Sequence, residues 1–178
     1  MNRRLIVLCG RSFSGKSRTA AWLADALPGV VVSLDEINAE RGLWGGDGIP
    51  LEEWAHTNEI ARHRVGDALD SGHTVIVDDT SSPRFLRDGW RELATSSRSS
   101  LALVYVDTPI PVIMERLAAN RATPTRGDLT DEVLADHLGS FEPPAADEDA
   151  IRVQPNTPRA TVLEKINRRL VRDIGPDD

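Results

Sequence analysis

The residues best suited to chemistry lie near the start of the chain. Gly10 to Ser17 read G-R-S-F-S-G-K-S, which satisfies G-x-x-x-x-G-K-[ST], the Walker A pattern of a phosphate-binding loop. Its glycines let successive backbone N–H groups turn into one concavity at a helix start, where the helix dipole favours negative charge. Lys16 is placed to neutralise β- and γ-phosphate oxygens, and the Ser17 hydroxyl to ligate Mg²⁺. The expected nucleotide-binding set is Gly10, Arg11, Ser12, Phe13, Ser14, Gly15, Lys16, Ser17 and Arg18. Lys16 and Lys165 are the only lysines beside nineteen arginines, so a lysine at this position is not compositional drift. Cys9, the lone cysteine, reads as a small buried hydrophobe rather than a nucleophile.

Carboxylates follow two apolar runs. Asp35 comes after V-V-V-S-L, and Asp78 and Asp79 come after H-T-V-I-V. Ligands of a parallel sheet bind beyond the carboxyl ends of its strands. Asp78 or Asp79 is therefore expected to hold a metal-bound water, and Asp35, further out, to orient an attacking hydroxyl and take its proton. The competing reading of each is an Asp that caps a strand-helix junction. Arg116, Arg121 and Arg126 fall in and just after a helical stretch, where planar bidentate donors answer the charge of a transferring phosphoryl group. Thr123, Pro124, Thr125 and Gly127 make that segment, about 121–128, a hinged lid. Trp44 sits among the glycines of Gly42 to Gly48 on the acceptor side, to stack on a substrate ring or to anchor the loop. Trp22, Trp54 and Trp90 read as core.

Positioning these groups requires an alternation of strands and helices. Arg4 to Cys9, Val30 to Leu34, His73 to Val77, Leu101 to Val106 and Ala150 to Val153 read as strands; the first four are short apolar runs. Between and after them, Ser17 to Leu27, Leu51 to Asp70, Pro83 to Ser97, Pro109 to Asn120, Thr130 to Ser140 and Arg159 to Val171 read as helices, with Thr130 as an N-cap. This order predicts an α/β fold with a parallel sheet covered on both faces. One domain over 1–174 is expected, with a frayed tail at 175–178. The acidic, proline-rich Glu142 to Asp149 reads as a surface loop.

The chain has 178 residues, 40% hydrophobic and 28% charged, with 21 Lys+Arg against 28 Asp+Glu. That length buries a sufficient core without disulfides or a structural metal, and the single cysteine points to a reducing, cytoplasmic setting. No apolar run is long enough for an export signal or a membrane span. The net charge of -7 resides in Leu129 to Asp149, which holds seven acids and no Lys or Arg. The remainder balances, so bulk nucleic-acid binding is not expected, while a nucleic-acid 5′ end stays open as a partner.

Together with L-D-E-I-N at Leu34 to Asn38, V-I-V-D-D-T-S-S-P-R at Val75 to Arg84, N-R-A-T-P-T-R-G from Asn120 and F-E-P-P at Phe141 to Pro144, the Walker A motif resembles the small P-loop kinases of the AAA_33 type. These include the 5′-hydroxyl polynucleotide kinase domain and zeta-toxin-like and chloramphenicol phosphotransferase-like enzymes. The resemblance spans about Arg4 to Arg172. It implies a P-loop NTPase three-layer sandwich, a five-stranded parallel sheet of order 2-3-1-4-5, a small lid, and ATP with Mg²⁺ as donor. It also implies Asp35 as general base, Arg121 and Arg126 as lid arginines, Arg116 facing the nucleotide and Arg41 on the acceptor side. Asn38 stands where the polynucleotide kinases carry an arginine. The expected activity is γ-phosphoryl transfer to a hydroxyl, on a small molecule such as a metabolite or antibiotic, with a polynucleotide 5′ end as the alternative. A nucleotide-dependent switch or accessory ATPase acting on a partner is the alternative of another class.

Overall fold

The computed structural model describes residues 3–44, 48–124 and 127–172. Five parallel strands, β1 (Arg4–Cys9), β2 (Gly29–Ser33), β3 (Thr74–Asp78), β4 (Ser100–Val106) and β5 (Ile151–Val153), form one sheet of order β2-β3-β1-β4-β5. This is the order that the family resemblance implies. β1 lies at the centre, paired with β3 from Arg4↔Thr74 to Val7↔Val77 and with β4 from Arg4↔Ser100 to Cys9↔Tyr105. Its run of apolar residues is continuous because both faces of the sheet are covered.

The alternation of side chains along β1 separates two cores. Leu5, Val7 and Cys9 face α2 (Leu34–Glu40), α3 (Leu51–Asp70) and α4 (Arg84–Ser96), joining Ile37, Val65, Leu69 and Trp90. Ile6 and Leu8 face α1 (Lys16–Ala26) and α7 (Arg159–Arg172), joining Leu23, Val162, Ile166 and Leu170. Each such fully buried aliphatic side chain contributes about 1.5–3 kcal/mol. A third cluster joins the phosphate loop to the following helices: Phe13 packs with Ile113 and Leu117 of α5 (Ile110–Ala122), with Leu129, and with Leu134 of α6 (Asp131–Gly139). Thr130 caps α6, its hydroxyl accepting from Val133 N at 3.3 Å. No helix of the described residues is long and apolar enough to cross a membrane.

Three expectations need correction. Leu34 does not end β2: Ser33 caps a seven-residue helix there, its hydroxyl accepting from Glu36 N, so Asp35 stands in the first turn of α2. Acidic residues at 35 and 36 suit that helix start. Second, α5 runs on to Ala122 and takes in Arg121. Third, Glu142 to Asp149 is not simply a surface loop. The side chain of Glu148 is fully buried, and Arg87, also buried, donates to both of its oxygens at 2.6 and 2.7 Å. Arg91 adds a bond of 2.9 Å and Ala145 N another of 2.9 Å. The segment's other acids likewise meet arginines from elsewhere, Glu142 with Arg87, Asp147 with Arg84 and Asp149 with Arg169.

Burial works against the charge on Glu148, but the bonds from Arg87, Ala145 N–H and Arg91 overcome it and hold the carboxyl at about 2 instead of 4.5. A depressed carboxyl contributes stability above its unfolded value and loses it as the pH falls through the folded one. On this ground Glu148 stabilises the fold by about 3 kcal/mol near neutrality. That contribution is expected to fade from about pH 4.5 towards pH 2. Denaturant midpoints at pH 6, 4 and 3 check it, since Glu148→Gln flattens this part of the profile.

Candidate nucleotide and acceptor site

Gly10 to Ser17 link the end of the central strand to α1, of which Lys16 is the first residue. Two glycines are required here. Gly15 has a φ of +101°, a left-handed conformation that side chains disfavour. A Cβ on Gly10 would lie 2.7 Å from the Val106 carbonyl and 2.9 Å from the Ser14 hydroxyl. The first turn of α1 has no capping side chain and no acidic residue, which leaves its N–H groups directed at the loop's concavity.

The loop is held from three sides. Thr108 donates to Ser14 O at 2.8 Å, Arg116 donates to Phe13 O at 3.1 Å and Ser14 O at 2.6 Å, and Gly10 N donates to Thr80 O at 3.1 Å. Lys16 Nζ donates to Arg11 O at 2.9 Å. Ser12 Oγ lies 3.2 Å from Nδ1 of His137 on α6.

One cavity of about 980 Å³ passes over this loop. Ser12 to Arg18 form its floor, with Arg116 beside them. One end holds Trp22, Gln154, Thr157 and Arg159, where the Arg159 guanidinium lies 5.4 Å from the Trp22 ring centre. Asp35, Ile49, Trp54, Asp78, Asp79, Thr108 and His137 also line it. The sheet brings the carboxylates together: Ser33 pairs with Asp78 across β2 and β3, so Asp35 lies two residues beyond the partner of Asp78. Burial pushes the Asp79 carboxyl above its usual range, opposed by hydrogen bonds from Ser81 and the attraction of Lys16. Ser81 grips it through its backbone N at 2.7 Å and its hydroxyl at 3.1 Å.

Ser81 is itself held from behind. Its carbonyl accepts from Arg87 at 3.0 Å and from the Cys9 thiol at 3.6 Å. The buried Arg87–Glu148 pair thus stands one residue behind the bed of Asp79. Burial raises the Cys9 thiol to about 12, which agrees with a buried, inert side chain.

Among the described residues, five of the expected site residues, Gly10, Arg11, Arg41, Trp44 and Arg121, are not part of the cavity lining; Gly10 serves the turn of the loop instead. Arg11 turns its guanidinium onto the Phe141 ring, 4.6 Å from the centre. Arg121 is engaged by Asp128, Asp131 and the Leu129 carbonyl, because its place on α5 points it at the start of α6. Arg41 donates to Glu53 and to the hydroxyl of Thr57, tying α2 to α3. Trp44 is 73% exposed, and a Cβ on Gly127 would lie 3.3 Å from its ring. Arg126, Thr125, Gly45, Gly46 and the tail 175–178 lie outside the described residues. Asn38 is buried and accepts from the Thr57 hydroxyl, so it serves the α2–α3 contact.

The sequence reading missed Trp22, Trp54, Thr108, His137 and Arg159. Trp22 and Trp54 do pack against the two cores, as their places on helices suggest, and what the sequence does not show is that both also reach the cavity. A local signal marked Arg159: a cation in the first turn of a helix opposes the dipole, and such breaches of local preference gather at functional sites. Thr108 and His137 carried none, because each is recruited by a loop distant in sequence.

Oxygen donors suited to Mg²⁺ are present in the Ser17 hydroxyl and the carboxylates of Asp78 and Asp79. The described residues contain no group of three or more His, Cys, Asp or Glu able to hold a metal alone. That set fits an ion which keeps several waters and binds through one or two carboxylates together with substrate phosphates.

A family model described as an AAA domain, AAA_33, matches residues 5–144. Comparison with curated protein sequences yields no match. Among solved structures, a sugar kinase from Janibacter sp. HTCC2649 is similar at 22% identity, covering 97% of this chain and 96% of that one with a TM-score of 0.68. The APS kinase CysC of Mycobacterium tuberculosis, in complex with AMPPNP and APS, shows 20% identity, 94% and 99% coverage and a TM-score of 0.68. Kti12 of Chaetomium thermophilum, in complex with ADP-AlF3, shows 15% identity, 93% and 98% coverage and a TM-score of 0.75. At these identities the likeness establishes the P-loop fold.

Proposed function

Since the chain belongs to the AAA_33 family of AAA domains, we propose that it is an ATP-dependent phosphotransferase that moves the γ-phosphoryl group to the hydroxyl of a small molecule. One observation carries this reading. The phosphate loop, after β1, and Asp35, after β2 two strands away, line the same cavity. A binding module or a switch needs the loop, but it has no use for an exposed carboxylate on the acceptor side.

In this reading the N–H groups at the start of α1 and the Lys16 ammonium bind the β- and γ-phosphates. Ser17 and, through water, Asp78 or Asp79 would hold Mg²⁺, which when bound would supply charge neutralisation on the phosphate oxygens. Arg116 braces the loop through the Phe13 and Ser14 carbonyls. The acceptor oxygen attacks the γ-phosphorus, the bond to the β–γ bridging oxygen breaks, ADP leaves, and the acceptor proton passes to Asp35. Little basicity is needed of Asp35, because the transition state is loose. Arg126, in the proposed lid of 121–128, is assigned to charge on the transferring group, and Arg121 to fastening that lid to α6.

The test is transfer of labelled γ-phosphate to hydroxyl acceptors. Asp35→Asn is expected to lower kcat for transfer by about 10²-fold while leaving nucleotide affinity within about twofold, as measured by ATP titration beside the transfer assay. Wild-type transfer by this variant would remove Asp35 from the mechanism. ATP turnover that continues with no phosphorylated acceptor would favour the accessory ATPase.

A further inference from the structure

The phosphotransferase reading leaves the acceptor's chemistry open, and the charge on one wall of the cavity narrows it. Asp35, Ile49 and Trp54, all from the connection Leu34 to Ala55, line the cavity on the acceptor side of the phosphate loop. That connection contains six carboxylates, Asp35, Glu36, Glu40, Asp47, Glu52 and Glu53, against one basic residue, Arg41. Arg41 is committed to Glu53 and Thr57. Glu40 is matched by Arg64 from α3, whereas Asp35, Glu36 and Glu52 are exposed. Among the described residues, the Lys and Arg that line the cavity are Lys16, Arg18, Arg116 and Arg159. Each belongs to the loop or to α1, α5 or α7, on the nucleotide's side, and none comes from Leu34 to Ala55.

Of these carboxylates Asp35 lines the cavity, so an acceptor with a carboxylate, phosphate or sulfate group would meet Asp35 and the γ-phosphate with no cation from this connection to answer its charge. Juxtaposed like charges are costly and reject wrong partners. An ammonium group would be drawn in by Asp35, with the exposed Glu36 and Glu52 of the same connection adding to the longer-range attraction. The indole of Trp54 and the side chain of Ile49 add an apolar surface, and an aromatic face also attracts a cation.

Resting on the phosphotransferase reading, we propose that the acceptor is a small alcohol without an anionic group, with amine-bearing polyols and amino alcohols as the favoured class and its apolar face on Ile49 and Trp54. A polynucleotide 5′ end, which carries phosphates beside its hydroxyl, is disfavoured on the same ground.

The test is a γ-phosphate transfer screen of the full chain with Mg²⁺ and labelled ATP. The library consists of hydroxylated compounds arranged as matched neutral, amine-bearing and carboxylate- or phosphate-bearing members, with a 5′-hydroxyl oligonucleotide included. The best acceptors are expected among the amine-bearing and neutral members. Within a matched set, kcat/KM should be about tenfold or more higher for the amine than for the carboxylate. For the amine it should fall as salt is raised from 50 to 300 mM, and for the carboxylate it should rise, because salt screens both effects. Glu52→Lys, an exposed change outside the assigned catalytic set, should narrow the difference. Preferred transfer to an anionic member or to the oligonucleotide overturns the acceptor assignment and leaves the phosphotransferase reading intact. Lys16-dependent ATP consumption with no phosphorylated member overturns the phosphotransferase reading itself.

Discussion

Replacing Arg87 with methionine is expected to lower the stability of the fold by about 3 kcal/mol, seen as a fall of about 6–12 °C in Tm for a chain of this size. The loss is large because methionine fills the volume but leaves the Glu148 carboxylate in the interior with fewer donors, and takes the guanidinium away from Ser81 O and Glu142 O, leaving Ser81 O the weaker Cys9 thiol. It stands at the low end of the range for a broken buried pair because Arg91 and Ala145 N still reach Glu148. A double-mutant cycle distinguishes pairing from packing. Arg87→Met with Glu148→Leu is expected to be more stable than Arg87→Met alone, since removing both charges also removes their desolvation cost. If the double variant is the weaker, the energy lies in shape and not in charge. The single variant should also raise the Mg²⁺ concentration needed for half-maximal activity, because Ser81, which grips Asp79, loses its own support.

The parts of this molecule legible in the sequence are those fixed by nearest neighbours. Gly10 to Ser17 carry their geometry in their own residue types, and the Leu5 to Cys9 run announces a strand covered on both sides. The strand order was legible only through the family resemblance, since nothing local to β1 names its neighbours. α2 escaped notice because Leu34 extends the β-branched run before it, and Ser33 becomes a cap only once β2 has ended. Arg41 and Arg121 belonged to the family pattern, yet partners from α3 and α6 took them up, and side-chain type alone does not reveal which acid an arginine will meet. Glu148 is the sharpest instance. Among clustered acids it reads as solvated, and its burial depends on Arg87, 61 residues earlier. The acidic segment is therefore in large part the counter-charge of arginines elsewhere, most of all those on α4. The net charge of the chain gives no guide to the charge of the site.

Lys16→Met is expected to reduce kcat for γ-phosphate transfer by about 10²–10³-fold, the effect of removing one preorganised charge at a site of developing negative charge. The ammonium is held in advance: Nζ donates to Arg11 O, across the loop, so little reorganisation is needed when phosphate arrives. Arg116 does not replace it, because its guanidinium is engaged with the Phe13 and Ser14 carbonyls of the loop backbone. Lys16→Arg should not restore activity either, since a planar fork does not fit a concavity built for a compact ammonium. The fold should survive the methionine change, at a cost of about 1 kcal/mol for the lost hydrogen bond. Thermal unfolding of the variant therefore separates a folding defect from a chemical one. ATP affinity is expected to fall less than kcat, because the α1 N–H groups still bind the phosphates while the charge that builds in transfer goes unanswered. Transfer by Lys16→Met at the wild-type rate would mean that the donor phosphates lie elsewhere in the cavity, and the roles given to Ser17 and Asp79 would fall with that of Lys16.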